Sequence, residues 1–210
     1  MLRTMLILTL IVACASIAAA QSDYKKFEFF GGYSHNRVDT GVGDDEPGLS
    51  DIINEREGFN GFEVSATGNL SRYFGLKADF SAHFKKQSFS PAPPATLHVD
   101  SRLFNFLGGV QLKDNSSDKT FKPFAHALVG VAHTRNELRF DQFICVAIFP
   151  SPCADTTVTE TGFAGAFGGG IDIRASDRVD VRVIQFDYNP TRLFDSTQHN
   201  FRIGVGIVFH

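Results

Sequence analysis

The sequence predicts an all-β protein, an eight-stranded antiparallel up-and-down transmembrane β-barrel, and three observations carry that expectation. The last stretch, residues 200–210, alternates strictly: Phe201, Ile203, Val205, Ile207 and Phe209 share one face, while Arg202, Gly204, Gly206, Val208 and His210 take the other. Similar period-two segments recur upstream between turn-rich stretches, and beyond residue 20 no run reaches the eighteen or so apolar residues of a spanning helix. The chain opens on a segment built for export, with Arg3, an apolar run over 5–12 and Ala18-Ala19-Ala20 before Gln21.

That opening, residues 1–20, reads as a signal peptide cleaved after Ala20, leaving 21–210 as one barrel domain. Two alternatives stay open: a membrane-anchoring helix, and a lipobox at Ile11-Val12-Ala13-Cys14 that would make an acylated Cys14 the first mature residue. The net charge of −3 gives no reason to expect nucleic acid. A hydrophobic fraction of 43% resembles that of a soluble protein, yet alternating strands hide a barrel behind such an average.

The first expected strand, 24–36, sets Phe27, Phe29, Gly31 and Tyr33 against Glu28, Phe30, Gly32 and Ser34. A long acidic loop, 37–58, leads to the second, 59–69, with Phe62, Val64, Ala66 and Gly68 opposite Glu63, Ser65 and Thr67. After the short turn 70–73 comes 74–84, where Leu76, Ala78, Phe80, Ala82 and Phe84 face away from Lys77, Asp79, Ser81 and His83. Residues 85–96, with Pro91, Pro93 and Pro94, read as a loop because proline cannot donate to a ladder. The fourth strand, 98–111, and the fifth, 121–134, flank the turn 113–119, and a loop over 135–158 follows. The sixth strand carries Phe163, Gly165, Phe167, Gly169, Ile171 and Ile173 on one face. A tight turn at 175–178, a seventh strand at 179–188 and a loop at 189–198 return the chain to its final strand.

Connections that run long, short, long, medium, long, short, medium match a barrel with extended external loops and short periplasmic turns. Eight strands place both ends on the periplasmic side and enclose a lumen narrow enough for side chains to fill. A large apolar interior, as in a soluble lipocalin-like barrel, does not fit, because Glu63, Lys77, Asp79, Asp172, Arg182 and Arg202 lie on the inward parity. Buried charges are costly unless paired, so these six are expected to form a lumenal salt-bridge network. The same network could act as the gate of a small ion-conducting pore. With Phe30 and Leu128 also facing inward, little continuous water path is expected.

Together, the export segment, the eight alternating segments and the terminal Phe201-Ile203-Val205-Ile207-Phe209 series resemble the small outer-membrane β-barrel proteins of the OmpA-barrel and OmpX type. The resemblance implies a monomer in a bacterial outer membrane, in contact with outer-membrane lipid, with a structural or loop-mediated surface-interaction role. It also implies a C-terminal signal read by barrel-assembly machinery. Members of that group typically end on an aromatic residue, whereas here Phe209 is followed by His210, so these two residues form the candidate assembly signal.

Cys145 and Cys153 sit in the same long loop, and an oxidising periplasm favours a disulfide between them around the apolar tip Val146-Ala147-Ile148-Phe149-Pro150. That tip is either a partner surface or a packing element. Two thiols alone do not make a zinc site, and no cofactor is expected. Some barrels of this size are lipid-modifying enzymes, which need Ser and His in contact at the membrane face. Ser81 and His83 share a face, but the lumenal one, and no G-x-S-x-G elbow occurs, so no catalytic residues are expected.

Overall fold

The computed structural model describes residues 24–39, 56–92, 95–116, 118–140 and 155–210. They form one closed antiparallel barrel of eight strands: β1 (Phe27–Asp39), β2 (Arg56–Asn69), β3 (Phe74–Ala92), β4 (Ala95–Lys113), β5 (Phe121–Phe140), β6 (Thr156–Arg174), β7 (Val179–Leu193) and β8 (Ser196–Phe209). The expected export segment, Cys14, and the expected Cys145–Cys153 disulfide lie outside the described residues.

One ladder row runs from Val208 through Phe30, Ser65, Asp79, Leu107, Gly130, Ala164 and Thr191, and returns to β8 at Gln198, ten residues from its start. Ten residues of stagger over eight strands correspond to a tilt of about 40°, which leaves an interior that side chains can fill. The outward parity is apolar all the way round, with Phe29, Phe62, Leu76, Phe106, Val129, Phe163, Phe186 and Ile207 exposed. In water such a wall would be an aggregation surface; in a bilayer it is the solvated face.

Four expected loops are shorter than the sequence suggested. β1 continues to Asp39 and β2 begins at Arg56, and β5 and β6 reach Phe140 and Thr156. The Pro-rich segment belongs largely to β3 and β4, whose ladder continues through Phe89↔Leu97 to Ala92↔Ala95 with an irregularity between. Proline is tolerated there because the β2 ladder ends at Asn60↔Phe84, which leaves the upper part of β3 as an edge. The expected 189–198 loop is a hairpin with Pro190 opposite His199 in its ladder. Only Phe194 and Asp195 turn, both at positive φ (52° and 56°). The Asn189 side-chain amide donates to the Gly165 carbonyl at 2.5 Å, a donor supplied beside a proline that has no N–H.

At the end where β1 begins and β8 finishes, the barrel is capped by its own chain. Tyr24 bridges to Ser116, and the Lys25 N–H donates to the Asn115 carbonyl at 3.2 Å. Arg72 and Asp114 clasp two turns through bonds of 2.8 and 3.0 Å, and the Arg72 guanidinium holds the Asp114 carboxyl below the usual carboxylate range.

Candidate functional site: a filled lumen and an extended outer rim

Inward-facing residues build two layers. In the layer nearer the start of β1 and the end of β8, Arg202 lies 2.7 Å from Asp187, 2.9 Å from Asp79 and 3.5 Å from Glu63. Lys77 stands 3.9 Å from Glu63, 3.8 Å from Asp79 and 3.4 Å from His126 Nδ1. Glu63 accepts its shortest bonds, 2.9 and 3.1 Å, from Gln185, whose amide also donates to Asp187 at 2.8 Å. Arg182 forks onto Asp172 at 2.8 and 3.1 Å and reaches Gln185 at 2.8 Å, joining this group to a second in which Lys113 bridges Asp172 (2.8 Å) and Glu28 (2.9 Å). A third group holds Lys122 and His210 on Asp180 at 2.9 and 2.8 Å.

All six charges expected in the lumen are therefore buried there and brought into linked groups. Small residues make the room. The Arg182 guanidinium is sandwiched between the Phe30 and Phe124 rings, 4.3 and 4.0 Å from their centroids. The Phe30 ring occupies the space that side chains at Gly32 and Gly206 would need, 2.8 and 2.7 Å from their Cβ positions. These glycines face each other across the β1–β8 seam.

The sequence reading missed Asp187, Gln185, Lys113 and Lys122. Strict alternation from Val181 and Val183 puts Gln185 and Asp187 on the lipid side, but Val183 is an extra residue between Arg182 and Ile184, and both Val183 and Ile184 face outward. The legible signal was chemical: past Val183 the apolar residues become Ile184 and Phe186, while Gln185, Asp187 and Asn189 take the opposite parity. Lys113 was assigned to a turn, yet it is the last residue of β4 and fully buried at its ammonium end.

Above the charges, Leu103, Leu107, Leu128, Ala132, Ala164, Ala166, Val38, Phe59 and Leu193 form one buried apolar cluster. Polar Ser34, His83, Asn105 and Asn200 line the remaining wall. His83 contacts Ser34 at 2.9 Å, whereas Ser81 accepts from Asn105 at 3.2 Å, so Ser81 and His83 do not form a dyad. All four are fully buried and have no access to lipid. Among the described residues no group of three or more His, Cys, Asp or Glu side chains could hold a metal ion.

Beyond the lipid-facing band the outward surface becomes polar. Tyr33, Phe62, Phe84, Phe104, Phe163 and Phe201 are followed, two residues further out, by His35, Asn60, Lys86, Arg102, Thr161 and His199. β3, β4, β5 and β6 run to 19, 19, 20 and 19 residues, against about 9–11 for a tilted crossing. Roughly half of each therefore projects beyond the bilayer.

A closed barrel with an apolar belt, a salt-bridged lumen and strands overshooting one face of the lipid defines a small transmembrane barrel of the outer-membrane class. The chain belongs to the family described as outer membrane protein beta-barrel domain, whose model matches residues 5–209. This places it in the bacterial outer membrane. No curated protein matches it in sequence. Among solved structures it is similar to Ail, the attachment invasion locus protein of Yersinia pestis, in complex with the heparin analogue sucrose octasulfate (14% identity, 87% of this chain and 97% of that one, TM-score 0.53). It is also similar to Neisserial surface protein A (11% identity, 90% and 99% coverage, TM-score 0.53). At these identities the likeness concerns the fold.

Proposed function

We propose that this barrel is a non-catalytic surface-interaction protein, whose outward-projecting strands and loops make its contacts. The carrying observation is the overshoot of β3 to β6, which builds a four-stranded platform outside the lipid, while the lumen is filled with paired charges and apolar side chains. The platform has open edges: β3 has no β2 ladder beyond Phe84, and the 157–161 stretch of β6 has none from β7. Exposed edges and loop tips are where extended partners dock. In this reading the chain is exported by its signal peptide, assembled through a terminal signal at Phe209 and His210, and carries a Cys145–Cys153 disulfide that stiffens the tip between β5 and β6. Filling of the lumen favours this role over that of a gated pore.

Shortening the β5–β6 tip by deleting 141–154 should leave the barrel folded, seen as unchanged heat-modifiable migration, and should lower adhesion of expressing cells to an epithelial monolayer. Equal adhesion at equal surface levels of folded barrel would overturn the reading.

A further inference from the structure

On the outer wall of β4 and β5, three arginines converge on one carboxylate. Glu137 lies 2.9 Å from Arg135 Nε, 2.9 Å from Arg139 and 3.8 Å from Arg102, and it is nearly buried beneath them while their side chains are 42–56% exposed. Each guanidinium carries five N–H donors, so a single carboxylate takes up only part of this donor capacity. The ladder makes the crowding worse, because Arg102 is directly opposite Arg135 and Asp100 directly opposite Glu137. Like charges facing each other across a ladder destabilise it. With Lys86 opposite Asp100 on the other side, the patch holds four cations against two carboxylates.

Its height selects the ligand. Arg102 follows Phe104 on the outward parity of β4, Arg135 follows His133 on β5, and Phe84 packs edge-on against Phe104 with ring centroids 6.0 Å apart. Arg102 and Arg135 thus sit one step outside the aromatic boundary, on the side wall facing the bilayer, at the level of lipid headgroups, and Arg139, four residues further along β5, joins them at Glu137. Guanidinium forks match phosphate oxygens in geometry and charge.

We propose that Arg102, Arg135 and Arg139 form a binding seat for the phosphate of an outer-leaflet lipid headgroup, whose acyl chains lie against Phe84 and Phe104. Glu137 gathers the three side chains and, as an internal anion, competes with the ligand. The phosphate relieves the repulsion between Arg102 and Arg135 that a single carboxylate leaves in place.

The test uses the full barrel folded in neutral detergent micelles and titrated with fluorescent bisphosphorylated lipid A. An Arg135→Gln/Arg139→Gln pair should weaken binding at least tenfold, and Glu137→Gln should tighten it severalfold, with heat-modifiable migration unchanged in each. Lipid A stripped of its phosphates should bind the unaltered barrel at least tenfold more weakly, and millimolar inorganic phosphate should not displace the intact lipid. Equal binding of the stripped lipid overturns the proposal, as does a Glu137→Gln change that weakens binding. Full displacement by inorganic phosphate would mark a free-anion site instead, and a preference of the patch for a sulfated polysaccharide would mark a glycan site; either overturns the lipid assignment.

Discussion

Arg202 is the residue on which the interior turns. Its guanidinium is wholly buried and serves Asp187 and Asp79 at hydrogen-bond distance, with Glu63 further away at 3.5 Å. Removing one partner of a buried pair strands the other, a loss of about 3–5 kcal/mol, whereas removing both costs less. Arg202→Met should therefore destabilise the barrel strongly, and adding Asp187→Leu should recover part of the loss. Coupling of Arg202 to Glu63 should be smaller, because Gln185 already satisfies that carboxylate. Urea unfolding in detergent reads the cycle, and a Glu63 coupling equal to that of Asp187 would contradict this geometry.

At the scale of elements, the β7–β8 hairpin turns on two residues that sit uneasily there. Phe194 and Asp195 both adopt positive φ, which a two-residue turn between twisted strands requires and which Asn-Gly supplies without strain. The Phe194 N–H is pinned by Glu160 at 2.8 Å, which ties the turn to β6. Replacing the pair by Asn-Gly should stabilise the barrel by about 1–2 kcal/mol, visible as a higher thermal midpoint in detergent; a lower midpoint would show that the aromatic ring holds the hairpin in place. This hairpin also marks where the sequence stopped being readable. Within the lipid, one face of each strand must be apolar, so Phe201 to Phe209 or Leu76 to Phe84 could be assigned by parity alone. Further out the exterior meets water while inward positions such as Asn189, Thr191, Gln198 and Asn200 are buried but polar, so the contrast between the faces disappears, and the upper parts of β3, β4, β7 and β8 read as loops. Inside, the six charges were visible from parity, but the bulge at Val183 moved Asp187 across the wall with no local proline or glycine to announce it.

For the whole molecule, the layered lumen makes a statement about transport. Ions entering from the far side pass the Lys85–Glu57 pair, 2.8 Å apart, and then meet the cluster that includes Leu103, Leu107, Leu128 and Leu193, and dry constrictions of this kind oppose conduction. In planar bilayers the folded protein should show no unitary current steps above leak. Well-defined steps at neutral pH would mean that the apolar cluster parts readily, and would restore the pore reading.

The seam between β1 and β8 has a consequence in time. Phe29 pairs with Phe209, so the final ladder joins residues 180 positions apart, and every earlier ladder can form while this one is still missing. Long-range pairing of this kind is slow to nucleate, because the chain between the two ends must first be brought to order. The polypeptide cannot finish its barrel before β8 arrives, and it spends that interval with two bare edges able to pair with other chains. Once the ladder closes, no terminal strand remains to peel away, and opening demands the rupture of a whole row of hydrogen bonds at once. Persistence of the folded form is then set by an unfolding rate, and the last strand made is the one that locks the rest.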